Sequence, residues 1–129
     1  MTWSDDHRAQ IGRAIELELA SRRADGTLGP FTTMWVVGVG NDVYVRSAGG
    51  PDRPWYRHAL ASGAGHIRTE DIDVDATFVD AAQGAPHEAI DAAYHVKYDR
   101  YGPGPVGHVT GAAAHHVTVR LIPQEVSTS

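Results

Sequence analysis

Two β-branched segments on either side of a glycine–asparagine turn constrain the fold of this chain more than any other feature. Residues 33–39 read Thr-Met-Trp-Val-Val-Gly-Val, residues 43–47 read Val-Tyr-Val-Arg-Ser, and Gly40-Asn41-Asp42 separates them. Segments of this composition around such a turn predict a β-hairpin. The chain is therefore expected to contain an antiparallel sheet, on which the remaining elements have to pack.

Further elements are predicted from the periodicity of apolar residues and from glycine and proline at the breaks. They are a helix over 4–21, a short helix over 54–62, a strand over 72–78, a second long helix over 86–101 and a strand over 115–122. His115 and His116, adjacent on the last strand, are expected to point to opposite faces. Because most connections are short and strands outnumber helices, the order predicts an α+β fold with a mainly antiparallel sheet or small barrel.

The size and composition of the chain limit its organisation. Its 129 residues suffice for a single domain, which we place over 1–123, followed by a flexible tail over 124–129. No apolar segment approaches the roughly 20 residues of a membrane helix, and the first eight residues are polar and acidic, unlike a secretory signal. These features predict a cytoplasmic protein, and the absence of cysteine fits a reducing compartment.

The charge of the chain is unevenly distributed. The net charge of −5 argues against a nucleic-acid partner, because phosphates are normally met by a basic surface. Within 46–68, however, four arginines stand against a single aspartate. This segment also contains Gly49-Gly50 and a helix start at Pro54-Trp55, where backbone N–H groups can approach a phosphate. The pattern predicts a site for an anionic small molecule, and its alternative is a glycine turn with solvated arginines and a core tryptophan.

A family resemblance rests on the same segment. Residues 44–60 read Tyr-Val-Arg-Ser-x-Gly-Gly-x-x-x-Pro-Trp-Tyr-Arg-x-x-Leu, and residues 63–68 read Gly-x-Gly-x-Ile-Arg. This sequence resembles the split-β-barrel superfamily of flavin and deazaflavin oxidoreductases, which includes the pyridoxamine phosphate oxidase-like and deazaflavin-dependent nitroreductase-like proteins. More closely, the chain is similar over 31–122 to a family of short bacterial proteins, domain of unknown function 2255, in which residues 35–37 and 89–98 also match.

The resemblance implies a small split β-barrel with an N-terminal helix and a second long helix near the C-terminus. It also implies an FMN or 8-hydroxy-5-deazaflavin coenzyme, a small organic substrate, and a homodimer, since such barrels often form their pocket between two subunits. Deazaflavin-binding members usually carry a basic turn before the first hairpin, whereas 24–30 here contains an aspartate. The predicted cofactor contacts, including the neighbouring Arg53, are Arg46, Ser47, Gly49, Gly50, Arg53, Trp55, Tyr56 and Arg57.

A second group of polar residues lies on the helix predicted over 86–101. His87, Asp91, His95 and Asp99 are spaced four residues apart and are therefore expected on one face. They could ligate a metal, Asp91 could orient His95 as a general base, or the stripe could be an ordinary solvated face. No metal is predicted, because neither cysteine nor a distant cluster of ligands supports one. The candidate catalytic residues are His95, Asp91 and Tyr98.

Three functions follow from these observations. The leading hypothesis is an oxidoreductase that uses a bound flavin or deazaflavin on a small organic substrate, so that the coenzyme supplies the redox chemistry. The first alternative is a cofactor-independent isomerase, lyase or cyclase with a histidine–aspartate pair in the barrel pocket. The second is a non-catalytic module that binds an anionic metabolite. The fold alone does not distinguish among them.

Overall fold

The computed structural model describes residues 3–124, and within that range it contains seven strands, five α-helices and one 3₁₀ turn. The strands are β1 Leu17–Ser21, β2 Thr32–Met34, β3 Val37–Val39, β4 Asp42–Arg46, β5 Ala64–Thr69, β6 Ile72–Asp80 and β7 Thr118–Pro123. The helices are α1 Asp5–Arg13, α2 Pro54–Ser62, α3 His87–Tyr98, α4 Pro103–Gly107 and α5 Ala112–His115, and the 3₁₀ turn Asp99–Tyr101 follows α3. The predicted tail lies, from residue 125 onward, outside the described residues.

All seven strands form one antiparallel sheet in the order β2-β1-β5-β6-β7-β4-β3. The sheet curls into a half-barrel, with α1 before it and the other helices later in the chain. This architecture confirms the predicted α+β fold with a mainly antiparallel barrel-like sheet. None of the helices within residues 3–124 is long and apolar enough to cross a membrane.

Strand β4 lies between two hydrophobic clusters, because both of its faces are covered. Val43 and Val45 belong to the first cluster, to which α1, α2 and most of the strands contribute. Tyr44 belongs to the second cluster, together with Tyr94 and Tyr98 of α3. Because side chains alternate along a strand, Arg46 lies on the same face as Tyr44. This placement carries a charged side chain into the interface between β4 and α3.

The predicted N-terminal helix is too long at its C-terminal end. Its start is confirmed, since the Ser4 hydroxyl accepts a hydrogen bond from the backbone N–H of His7 at 3.1 Å. The helix ends at Arg13, and 17–21 forms β1. Leu17 and Leu19 alternate with glutamates in this segment, and pairing with both β2 and β5 outweighs the helical spacing of the apolar residues.

The segment 33–39 forms two strands, not one. Its first half pairs with β1 and its second half with β4, so the chain changes partner at Trp35-Val36. The β3–β4 hairpin is confirmed, with Gly40 at a φ of 60° in the turn. The Tyr98 hydroxyl accepts a hydrogen bond from the Val36 N–H at 3.1 Å, so that a side chain replaces the missing strand partner.

Two other departures concern β5 and β7. The prediction omitted β5, in which a Cβ on Gly65 would collide with the Ala20 carbonyl and the Phe78 ring. The final strand begins at Thr118, and His115 ends α5, so the expectation that His115 and His116 share a strand was wrong. Helix α2, strand β6 and helix α3 occur where they were predicted, with ends shifted by three residues at most.

Candidate functional site

A cleft of about 710 Å³ opens between α2 and the segment that connects β1 to β2. We call it the α2 cleft. The side chains that give it chemical character are two arginines and a proline of the connection, and an indole, an imidazole and a hydroxyl of α2: Arg22, Arg23, Pro30, Trp55, His58 and Ser62. Its volume lies in the range of about 300–1,000 Å³ that is usual for small-molecule pockets.

Hydrogen bonds to the β1–β2 connection and to β6 hold both arginines. Arg22 donates to the Gly26 carbonyl at 2.8 Å and to a carboxylate oxygen of Asp75 at 2.9 Å. Arg23 donates to the Leu28 carbonyl at 3.0 Å. Two arginines therefore stand directly before the turn 24–30, which itself contains no basic residue. Two consecutive arginines ahead of an Asp-Gly turn were the sequence signal, and the prediction did not use it.

The turn itself is stabilised by Asp25. Its carboxylate accepts hydrogen bonds from the hydroxyl of Thr27 at 2.7 Å and from the backbone N–H of the same residue at 3.0 Å. These bonds, the one from the hydroxyl first, lower the pKa of Asp25 below its ordinary value. Asp25 thus stabilises the β1–β2 connection, which forms one wall of the α2 cleft. The cationic groups of this wall are those of Arg22 and Arg23.

Helix α2 forms the opposite wall. Pro54 occupies its first turn, where the missing N–H costs nothing, and Gly63 ends it in the left-handed conformation with a φ of 71°. Trp55, His58 and Ser62 are three and four residues apart, so they lie on one face and line the cleft. Tyr56 and Ala59 face the core instead.

The predicted contact Arg46 lies outside this cleft. Its side chain is buried, donating to the Thr118 hydroxyl at 2.9 Å and to the Val109 carbonyl at 2.8 Å, and it forms an ion pair with Asp91. A further contact of 3.2 Å joins its guanidinium to Nδ1 of His87. The arginine is therefore directed to α3 with its donors occupied. Its role as a cofactor contact remains only a prediction from the resemblance.

Gly49 and Gly50 lie in the loop between β4 and α2. The Ser47 hydroxyl donates to the Gly50 carbonyl at 2.6 Å, and Gly50 has a φ of 90° that suits glycine. A Cβ on Gly49 would meet the side chain of Arg53, which is exposed and can move aside. The other predicted contacts on α2 diverge, since Arg57 is exposed whereas Tyr56 is buried with its hydroxyl 3.2 Å from the His116 carbonyl. The roles of these residues also remain predictions.

The stripe on α3 divides between two environments. His87 and Asp91 face Arg46, whereas His95 is exposed and pairs with Asp99 at 2.8 Å. The expected pairing of Asp91 with His95 is therefore not formed. The histidine that pairs with Asp91 is His115, 3.0 Å away, which the sequence had placed on a strand. No group of three metal-ligating side chains occurs among residues 3–124.

Tyr98, the remaining candidate catalytic residue, is buried. Its hydroxyl donates to the Ile15 carbonyl at 2.7 Å, and its ring stacks on Trp35 at a centroid distance of 4.1 Å. Burial raises the pKa of Tyr98 to about 12. The side chain accordingly holds together the N-terminal segment, the break between β2 and β3, and α3. Its proposed catalytic role remains a prediction from the sequence.

Comparison with known proteins gives a family and a fold. Residues 8–121 match the model of a protein family described as "Uncharacterized protein conserved in bacteria (DUF2255)". The crystal structure of the conserved hypothetical protein Rv2991 from Mycobacterium tuberculosis is similar with a TM-score of 0.61 and 15% identity, over 97% of this chain and 82% of that one. No protein with a curated description matches the chain.

A second similar structure is described as an F420 reductase. It aligns with a TM-score of 0.59 and 21% identity, over 95% of this chain and 97% of that one. Both alignments span nearly the whole sheet and its helices, and at these identities they show a shared fold. The likeness agrees with the predicted barrel-like fold.

Proposed function

The chain belongs to the DUF2255 family, and from that premise we propose that it binds a flavin or deazaflavin coenzyme in the α2 cleft and acts as an oxidoreductase on a small organic substrate. The observation that carries the proposal is the cleft itself, which has a volume of about 710 Å³ and is lined by two arginines on one side and an indole on the other. A structure with the same fold is described as an F420 reductase, which supports a deazaflavin over other anionic ligands.

The residues of the cleft fit an anionic, partly aromatic ligand. Arg22 and Arg23 would hold a phosphate, and their hydrogen bonds to backbone carbonyls fix the guanidinium groups before a ligand arrives. Trp55 offers an aromatic face for a planar ring. Ser21 also lines the cleft, and its hydroxyl is buried behind the surface with no hydrogen-bond partner among the described residues.

The chemistry of the proposed reaction would come from the coenzyme, which accepts and donates hydride when bound. The protein would bind its phosphate, orient its ring against α2 and exclude water from one face. The α2 cleft is open, so a substrate can approach the other face. A homodimer and a cytoplasmic location belong to the same proposal, because both come from the resemblance and the composition.

A fluorescence titration of the purified protein with FMN, and separately with 8-hydroxy-5-deazaflavin coenzyme, tests binding. We expect saturable binding of one of them and quenching of Trp55 fluorescence. Arg23→Ala should weaken binding by about tenfold or more, since a charge-assisted hydrogen bond contributes about 1.5–3 kcal/mol. Arg13→Ala is the matched control, because Arg13 is an exposed arginine of α1 that does not line the cleft.

Two results would contradict the proposal. If neither coenzyme binds, the oxidoreductase hypothesis fails for both. If a coenzyme binds equally well to the wild type and to Arg23→Ala, the site lies elsewhere. Binding without any oxidation or reduction of the coenzyme across a panel of small carbonyl and quinone compounds would instead favour a non-catalytic binding module.

A further inference from the structure

Asp91 is the centre of a polar network in which no residue of the α2 cleft takes part. One carboxylate oxygen pairs with Arg46, and the other accepts hydrogen bonds from Nε2 of His115 at 3.0 Å and from the Gly111 N–H at 3.3 Å. Burial alone would raise the pKa of Asp91, but the hydrogen bonds from Arg46 and His115 outweigh it and lower the pKa. Asp91 is therefore ionised at neutral pH, with both oxygens fixed.

The tautomer of His115 follows from this geometry. Because Nε2 faces a carboxylate, it carries the hydrogen, so that in the neutral imidazole Nδ1 is the proton acceptor. Nδ1 has no hydrogen-bond partner within residues 3–124, and the side chain is 28% exposed. His115 thus presents a free proton acceptor near the surface, while Asp91 holds the ring from the other side.

A second imidazole lies flat against His115. The rings of His87 and His115 are 4.4 Å apart at an angle of 11°. The guanidinium of Arg46, which can only donate, is 3.2 Å from Nδ1 of His87, while Nε2 is 2.8 Å from the Ala82 carbonyl, which can only accept. His87 is therefore neutral with its hydrogen on Nε2, and it does not oppose a positive charge on His115.

We propose that His115 is a catalytic general base, positioned by Asp91, for small neutral carbonyl compounds that carry a hydrogen on the carbon next to the carbonyl. Nδ1 takes this hydrogen as a proton, and the electron pair of the broken C–H bond moves to the carbonyl oxygen, which gives an enolate. The imidazolium then returns the proton to the same carbon, so that a deuteron from D₂O can replace the original hydrogen. The step balances without an oxidant or a reductant.

The charges of the network favour a neutral substrate. The guanidinium of Arg46 and the carboxylate of Asp91 cancel, so the site is uncharged until His115 takes up a proton. A neutral substrate becomes an anion in the step in which the site becomes a cation, so that the two opposite charges form next to each other. Stabilisation that appears only as the proton moves lowers the barrier without tightening binding of the starting compound.

Exchange of the carbon-bound hydrogens of hydroxyacetone with D₂O, followed by proton NMR, tests the proposal. The wild type should accelerate exchange at least about tenfold over His115→Gln, because general acid–base catalysis contributes roughly 10²–10⁴-fold with a well-matched substrate. The glutamine can still donate to Asp91 but cannot take the proton. Asp91→Asn should lower kcat for exchange with little change in KM for hydroxyacetone, since the carboxylate stabilises the imidazolium that forms during the step and does not bind the substrate.

The control is His108→Gln, because His108 is an exposed histidine whose side chain makes no hydrogen bond within the described residues. It should exchange at the wild-type rate. Equal exchange rates for the wild type and His115→Gln would overturn the proposal. A lower melting temperature of His115→Gln without any loss of exchange rate would show that His115 has a structural role only. The coenzyme titration of His115→Gln should match the wild type, so failure here is distinguishable from failure of the proposed function.

Discussion

At the scale of the residue, the hydroxyl of Tyr98 takes the place of a strand neighbour. It accepts from the Val36 N–H and donates to the Ile15 carbonyl, which is otherwise far away in sequence. A buried backbone group that loses its partner costs about 1–3 kcal/mol. Two side chains of α3 therefore hold the backbone at Val36, the Tyr98 hydroxyl at its N–H and the Lys97 ammonium at its carbonyl, 2.7 Å away.

Tyr98→Phe should consequently lower the free energy of unfolding by about 1–3 kcal/mol, while the stacking on Trp35 is retained. Urea denaturation followed by circular dichroism measures this change. Tyr101→Phe is the matched control, because Tyr101 is 44% exposed and its hydroxyl makes no hydrogen bond within the described residues. Equal stability of the two variants would show that the Tyr98 hydroxyl is not required.

A second residue-scale prediction concerns pH. His66 on β5 pairs with Asp73 and, at 2.8 Å, with Asp75 of β6, which also accepts from Arg22. Burial would lower the pKa of His66, but the hydrogen bonds to the two aspartates raise it above 6.5. A raised folded-state pKa stabilises the protein fully below pH 6.5, as long as the aspartates are ionised, and this contribution is lost as the pH rises through the folded-state pKa.

The stability difference between the wild type and His66→Gln should therefore be larger at pH 5.5 than at pH 8.5. We expect it to stay below about 1 kcal/mol, since both aspartates are partly in water and solvent screens the pairs. Urea midpoints at the two pH values measure the difference. A difference that is larger at pH 8.5 would contradict the assignment of the raised pKa to these pairs.

At the scale of the element, the close packing of β5 against its neighbours requires a glycine at position 65. Gly65 lies between the Ala20 carbonyl of β1 and the Phe78 ring of β6, where no Cβ fits. Gly65→Ala should cost about 1–3 kcal/mol or more, because the crowded atoms belong partly to backbone that cannot move aside. Thermal unfolding measures the loss.

The control for this substitution is Gly12→Ala in α1, which has open space around its Cβ position. It should be neutral or stabilising by up to about 1 kcal/mol, because alanine favours the helix. If Gly65→Ala melts at the wild-type temperature, the close approach of β1 and β6 at this point is not a constraint on the sheet.

The elements differ in how far the sequence could predict them. Helix α2 was predictable because a proline at its start and Gly63 at its end are local signals. Strand β1 was not, since its leucines also fit a helical spacing and only its two strand neighbours decide the outcome. Strand β5 begins between two glycines, which suggested a break, whereas the second of them serves close packing.

The site shows the same limit more strongly. The glycine loop and α2 were predicted together because they are contiguous, and the structure keeps them adjacent. Arg46 and Asp91, which pair with each other, are 45 residues apart in sequence, and Asp91 and His115 are 24 residues apart. No local pattern encodes such pairs. Arg46 therefore looked like a free cation in the sequence, although the fold uses it to hold α3 on β4.

At the scale of the whole molecule, the two hydrophobic clusters on either side of β4 raise the question of one domain or two. We propose a single domain over 1–123, because β4 contributes to both clusters and cannot unfold from one while remaining in the other. The tryptophans report on the clusters separately. Trp3 and Trp55 belong to the first cluster, and Trp35 packs on the second.

Unfolding in urea should therefore be one transition, whichever tryptophan is observed. In Trp35→Phe the fluorescence follows the first cluster, and in the double variant Trp3→Phe/Trp55→Phe it follows the second. Within each variant the fluorescence midpoint should coincide with that of circular dichroism at 222 nm, because a two-state domain loses all its structure together. Two separate midpoints within either variant would mean that α3 and its cluster unfold independently of the barrel, and that Arg46 joins two units.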